Sequence, residues 1–349
     1  MRLLRPRPPS PAADARLVFR WDLDKTYLKS EFDTLRELVR IPFEKAEDKI
    51  AAPGAAALMH GLRESALSRG RSVRVYFLSA SPPQIGRAIR RKLELDGIVY
   101  DGIVFKNQLQ RIMRGKLRHL REQVGYKLTE LLKARGAEPP GTREFLFGDD
   151  WESDPLIYSL YADIVAGRVE VSELAALLRA IRVDPPLIEQ ACGLAGAFEP
   201  VDAVGRIFIN LERRTPPARL RVYGTRLVPA FNYLQTAACL YEDDALSIAG
   251  VIQVARSLLD DSSYTPERVA NSLADIERRG HLGSEAAAAM RAALQAAALL
   301  PPATPPTLAE RWRRWWSRRR RRARPVAPPA GIDYRTLVGL EIRADAATE

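Results

Sequence analysis

The sequence predicts an α/β protein with a Rossmann-like parallel sheet, helices on both faces, and a mostly α-helical C-terminal region. Two observations predict it. Strand-like apolar runs near 16–22, 72–78 and 144–147 alternate with helical patterns, and a pattern rich in Ala and Leu takes over after Ala166.

ArgLeuValPheArgTrpAsp at 16–22 reads as a buried strand, and SerValArgValTyrPheLeu at 72–78 as a second, enriched in β-branched and aromatic residues. Between them, helical patterns are expected near 30–40 and 55–69, separated by Pro53-Gly54. A third helix is expected after Pro82, and a long one over roughly 116–135. GluPheLeuPhe at 144–147 is the next strand, and a helix follows from Pro155. This places an α/β domain over 16–166, with residues 1–15 as a flexible N-terminus. ArgIlePheIleAsn at 206–210 suggests one more strand near 205–211 to complete the sheet. The region 167–300 is otherwise expected to be helical, with three or four helices over 226–300 forming an appendage. Prolines 301, 302, 305 and 306 begin a final section, 301–349, of linker, Arg/Trp segment and tail.

At 349 residues, 46% hydrophobic and 28% charged, the chain has the composition of an ordinary globular protein. No apolar run approaches the ~20 residues that cross a bilayer. The basic, proline-rich N-terminus lacks the apolar stretch of a secretory signal, so a cytoplasmic location is expected. Cys192 and Cys239 stand far apart, without Cys or His at metal-binding spacing, and are expected to be free buried thiols. His60, His119 and His281 are scattered, and the motifs of serine hydrolases, zincins, P-loops and dinucleotide folds are absent. Net charge is +11, but nine arginines lie between Arg311 and Arg324 and only +2 remains without them.

The chemistry concentrates at strand ends. TrpAspLeuAspLysThr at 21–26 follows the first strand directly, so Asp22 and Asp24 fall where open α/β sheets bind ligands. Residues two apart in an extended chain project to the same side. Two such carboxylates repel unless a cation or proton compensates; a solvated acidic turn is the bland alternative. The second strand runs into LeuSerAlaSerProProGln at 78–84. Ser81, before Pro82 and three residues ahead of Gln84, fits a helix N-cap. That leaves the Ser79 hydroxyl to donate to a ligand, beside helix-start N–H groups that favour an anion. The third strand ends in GlyAspAspTrpGluSerAspPro at 148–155. Asp154 fits an N-cap before Pro155; Asp149 and Asp150 have no structural excuse, and the acids together suit Mg²⁺.

The ordered set Asp22-x-Asp24-x-Thr26, Ser79, a helical lysine and GlyAspAsp-x-x-x-Asp resembles the four motifs of the haloacid dehalogenase superfamily. LeuSerAlaSerPro-x-Gln with GlyAsp-x-x-x-x-AspPro-x-x-Tyr, ending at Tyr158, is similar to the catalytic domain of actin-patch phosphatidate phosphatases. The resemblance covers about 16–165. It implies a HAD-like fold, Asp22 as a nucleophile that becomes an aspartyl-phosphate, and Asp24 as general acid and base. It further implies that Thr26 braces the loop and that Ser79, with Ser81 nearby, meets the phosphoryl group. Asp22, Asp24, Asp149, Asp150 and Asp154 make up the candidate Mg²⁺ ligand set. Asp150 stands where the lipid-phosphatase subgroup has a small residue. Lys127, in GlyTyrLysLeuThrGluLeu and read as opening the helix before the third strand, is the preferred catalytic lysine. Lys116 is the alternative.

Trp312, Trp315 and Trp316 at helical spacing would set an aromatic face against arginines between Arg311 and Arg324. Such a segment suits an anionic membrane surface, reached peripherally from the inner face. Nucleic acid, or packing back on the body, are the alternatives. The expected function is therefore Mg²⁺-dependent hydrolysis of a phosphomonoester, foremost a lipid phosphate such as phosphatidate. A soluble phosphomonoester or phosphoprotein is the runner-up, and a non-catalytic binding protein on the same fold the third reading.

Overall fold

The computed structural model describes residues 16–23, 26–29, 50–79, 86–105, 116–151, 153–197, 199–301 and 331–339, with backbone alone at 28–29, 50 and 116–122. Its centre is a six-stranded sheet. In chain order the strands are β1 (Leu17–Asp22), β4 (Val73–Ser79), β5 (Gly102–Phe105), β6 (Arg143–Asp149), β7 (Val204–Asn210) and β8 (Leu227–Ala230). They lie in the order β5-β4-β1-β6-β7-β8 and every pairing is parallel. A separate antiparallel ladder pairs β2 (Leu28–Lys29) with β3 (Ile50–Ala51). The expected α/β class and parallel Rossmann-like sheet are therefore present.

The strand order matters for function. From β1 the chain winds outward through β4 and β5, then returns to β6 on the other side of β1 and winds the opposite way. The carboxyl ends of β1 and β6 therefore flank the point of reversal, where open α/β sheets leave a crevice for ligands. Asp22 closes β1 and Asp149 closes β6.

Both faces of the sheet are covered, which is why β1 is buried at all six positions and reads as a nearly continuous apolar run. On one face, Leu17, Phe19, Trp21, Phe145, Phe147 and Phe208 join a core with α1 (Ala55–Ser68), α2 (Gly86–Leu95) and the four helices α7 (Tyr233–Glu242), α8 (Ile248–Leu259), α9 (Pro266–Arg278) and α10 (Ser284–Ala296). Trp21 stacks on Phe147 with ring centroids 3.9 Å apart and planes 2° from parallel. On the other face, Leu146, Ile207 and Ile209 pack against α3 (Lys116–Gly136), α4 (Asp154–Val165), α5 (Val171–Ala180) and α6 (Pro185–Ala195). Tyr334, Leu337 and Val338 join that second core, and the Tyr334 hydroxyl donates to Asp163 Oδ2 at 2.7 Å.

The C-terminal half departs from the expected appendage. β7 is the strand expected near 205–211, β8 adds an edge strand that was not expected, and α7–α10 bury the aromatic face of the sheet. The α1–α8 contact is close because glycines meet there: a Cβ on Gly61 would stand 3.1 Å from Gly250 Cα. The α/β unit thus does not end near residue 166. Local chemistry sets the helix starts in this half: Asn232, Ser247 and Thr265 accept from Gln235, Gly250 and Arg268 N–H groups, and Pro266 follows Thr265. Cys239 is buried as expected, whereas Cys192 is partly exposed; both are free thiols.

One buried ionic network pins the strands beneath the carboxyl edge. Arg20 Nε donates to Glu144 Oε2 at 2.7 Å, Tyr161 Oη to the same oxygen at 2.8 Å, and Arg135 Nη1 to Glu144 Oε1 at 3.0 Å. Burial pulls the Glu144 carboxyl upward, but Arg20, Tyr161 and Arg135 together hold it below its usual range. Among the described residues no helix is long and apolar enough to cross a membrane.

Candidate active site

Asp22, Asp149 and Asp154 are fully buried, and each offers a carboxylate oxygen within 4.8 Å of the others. Strand ends supply the first two. The third is the first residue of α4, so the expected N-cap role is not what it performs: Ser153 holds the cap position and Asp154 turns inward. Its Oδ2 accepts from the Asp149 N–H at 3.4 Å, while Asp149 Oδ1 accepts from the Trp151 N–H at 2.6 Å. The second contact is an Asx turn that fixes the Asp149 side chain by its own backbone two residues on.

Gly148 makes the approach of Asp154 feasible. A Cβ there would press on the Asp154 carboxylate and stand 2.8 Å from Asp154 Cβ and Tyr158 Cε2. Tyr158, one turn along α4 from Asp154, is buried, and its hydroxyl donates to the Phe147 carbonyl at 3.4 Å. Burial, then the neighbouring Asp154, drives its pKa well up.

Lys127 reaches this cluster from α3. It is 0% exposed, and its Nζ donates to Asp22 Oδ1 at 2.8 Å and to Asp154 Oδ1 at 2.6 Å. The same helix buries Val124, Leu128 and Leu131, at spacings that keep Lys127 on the sheet-facing side. Lys127 does not open the helix, as the sequence suggested: α3 begins at Lys116, about 16 Å away along the axis. Residues 116 and 127 thus cannot share one site, and Lys127 is the one brought to the carboxylates.

Ser79 is buried at the tip of β4, the strand next to β1, where Leu78 is the register partner of Asp22. Thr26 is buried in the loop after β1. Its carbonyl accepts from the Tyr233 hydroxyl at 2.5 Å, a bond across 207 residues of sequence. The Tyr233 ring also lies 5.8 Å from that of Trp21, beside Asp22. Nothing in the sequence singled out Tyr233, because the short strand before it, LeuValProAla, is interrupted by Pro229.

Asp150 is not part of the cluster. Its Oδ1 accepts from the Arg213 N–H at 2.8 Å and its Oδ2 from the Thr215 N–H at 3.0 Å, so the carboxylate fastens the loop after β7 and is spent there. Asp24 and Ser81 lie outside the described residues, as does the whole Arg311–Arg324 segment. His60 is engaged with the Asp96 carbonyl at 2.9 Å.

The donor set fits a small hard cation. Mg²⁺ takes oxygen ligands, carboxylates among them, and the three acids offer oxygens within 4.8 Å of one another. Among the described residues the cluster sets three carboxylates against one ammonium, a balance that a divalent ion would correct. No protein-family model, curated protein or solved structure matches this chain.

Proposed function

We propose that this chain is a Mg²⁺-dependent phosphomonoesterase of the haloacid dehalogenase type, with Asp22 as nucleophile. The observation that carries the reading is the convergence of Asp22, Asp149 and Asp154 within 4.8 Å at the sheet's switch point, with a buried lysine bonded to two of them. A ligand-binding crevice, a set of hard oxygen donors and a fixed positive charge are what phosphoryl transfer requires of a protein.

In this reading an Asp22 carboxylate oxygen attacks phosphorus, and the bond from phosphorus to the ester oxygen breaks. The leaving oxygen takes a proton from Asp24. Water then attacks the phosphorus of the aspartyl-phosphate, passing a proton to Asp24, and inorganic phosphate departs with Asp22 restored. Lys127 orients Asp22 and balances charge on the phosphoryl oxygens, while Ser79 donates to one of them. Magnesium, held by Asp22, Asp149 and Asp154, would offset the negative charge shared by carboxylates and phosphate. Retention of an acid at position 24 argues against a binding-only role, which has no use for it.

Within this class the substrate put forward is a lipid phosphate such as phosphatidate. The support is the likeness of LeuSerAlaSerPro-x-Gln and GlyAsp-x-x-x-x-AspPro-x-x-Tyr to phosphatidate phosphatases, together with the Arg/Trp segment. The test is a phosphate-release panel of soluble esters, phosphopeptides and phosphatidate vesicles. Turnover should require Mg²⁺, stop with EDTA and vanish in Asp22→Asn with the fold intact. Removing residues 308–324 should depress vesicle turnover selectively. An active Asp22→Asn enzyme would refute the nucleophile, and soluble esters far outpacing vesicles would refute the lipid.

A further inference from the structure

We propose that Trp151 and Arg213 form a specificity-determining subsite for a second anionic group, next to the phosphoryl group that Asp22 attacks; this rests on the phosphatase reading above. The loops after β6 and β7 leave the same edge of the sheet and are neighbours there. Trp151 is tied into the acid cluster through its N–H, bonded to Asp149 Oδ1 at 2.6 Å, so its indole begins at the cluster's rim. The Arg213 guanidinium carbon lies 4.4 Å from the centroid of that indole, in a cation–π stack.

The pair is built, not draped over the surface. Asp150 holds the Arg213 and Thr215 N–H groups, the Leu211 N–H donates to the Ala230 carbonyl at 2.9 Å, and the Arg214 N–H donates to the Leu211 carbonyl at 3.1 Å. This explains an acid at position 150 that takes no part in the cluster. The loop it fastens sets the Arg213 guanidinium on the Trp151 indole. Among the described residues Arg213 makes no ion pair, and the adjacent Glu212 accepts instead from Asn210 Nδ2 at 2.7 Å. Trp151 is 38% exposed, and Phe231, the other exposed aromatic side chain among the described residues, sits on the loop after β8 under the Arg279 guanidinium.

A pre-oriented guanidinium with free N–H edges matches the geometry of a phosphate or carboxylate, and stacking lowers the entropy lost on binding. The shared chemistry is thus an anion a short distance beyond the scissile phosphate. It is carried either by the same molecule or by the neighbouring headgroup of an anionic bilayer.

Two arms separate these sources, each on the full chain with Mg²⁺. In the first, calorimetry compares fructose 1,6-bisphosphate with fructose 6-phosphate on the Asp22→Asn protein. In the second, sedimentation compares phosphatidylcholine vesicles containing phosphatidate with the same vesicles supplemented with phosphatidylserine. A preference of about tenfold for the partner that bears the second anion in either arm, falling towards one in Arg213→Ala and partly kept in Arg213→Lys, supports the subsite and names its source. A ratio near one in both arms of the parent protein, no binding in either, or a ratio untouched by Arg213→Ala overturns it. The phosphatase reading fails separately, through absence of phosphate release from the wild-type chain across the ester panel.

Discussion

Replacing Lys127 by methionine tests the centre of the site, because one Nζ serves two buried carboxylates. Methionine fills much of the same volume, so the change removes the charge and the hydrogen bonds to Asp22 and Asp154 while limiting the cavity. Asp22 and Asp154 are fully buried, and stripping one partner from a buried ion pair costs about 3–5 kcal/mol. For a chain of this size each kcal/mol shifts Tm by about 2 °C, so a fall of about 6–10 °C is expected without divalent ions. Mg²⁺ acts in the opposite direction. A ligand at one hundred times its Kd stabilises by about 2.7 kcal/mol, so saturating Mg²⁺ should recover a good part of the loss. Activity should not recover with it. A fixed charge at the reacting phosphoryl group is expected to be worth about 10²–10³ in kcat, comparable with the loss of one oxyanion donor. Differential scanning calorimetry with and without Mg²⁺, beside steady-state turnover, measures both effects. A Lys127→Met protein with unchanged Tm and unchanged kcat would refute the bridging ammonium and the role drawn from it.

Gly148→Ala should cost about 1–3 kcal/mol through overpacking against Asp154 and Tyr158, and should weaken Mg²⁺ binding by displacing the Asp154 carboxylate; equilibrium denaturation and metal titration check the two effects. Tyr233→Phe leaves the buried Thr26 carbonyl without its hydroxyl donor, a loss of about 1–3 kcal/mol, and should lower kcat with little change in KM; equal losses in both parameters would point to general loosening. Acid should unfold the protein partly through Glu144. Its carboxyl is held below the ordinary 4.5 in the folded state, so its contribution is complete above that value and fades as pH falls through the lower folded pKa. Glu144→Gln should flatten that part of the stability profile in urea titrations between about pH 3 and 6.

Much of the sheet was legible because parallel strands buried on both faces become apolar runs. β1, β4, β6 and β7 all announce themselves in this way. β8 does not, because Pro229 interrupts a strand of four residues, and a proline is tolerated there only because the strand lies at the sheet edge. β5 is as short, also lies at an edge, and is only partly buried. The site residues at strand tips were legible for a related reason: a polar residue that ends an apolar run has few places to go. What could not be read is which of two adjacent acids turns inward. Asp149 and Asp150 are chemically identical, and the choice depends on amide groups at 213 and 215 that come alongside only when β7 pairs with β6. Asp154 had the sequence context of a cap, and its inward turn rests on tertiary contacts that the sequence does not display, among them Lys127 and the Asp149 N–H, with room left by Gly148.

The sequence also suggested a catalytic domain carrying a helical passenger, and the packing contradicts that division. The two faces of the sheet do different things for the same few atoms. From one face, α3 and α4 deliver Lys127 and Asp154 to the carboxylate of Asp22. From the other, α7 delivers Tyr233 to the loop that follows Asp22, and the same helix covers the aromatic row of Trp21, Phe147 and Phe208. Helices drawn from residues 233–296 thus hold the loop that follows Asp22 and cover the aromatic side of the strands beside it. Burial of those rings is worth roughly 1.5–3 kcal/mol each, so the three together approach the lower end of the stability margin of a typical domain. A fold so arranged couples the position of residue 26 to the packing of the chain's far half, through the bond from the Tyr233 hydroxyl to the Thr26 carbonyl.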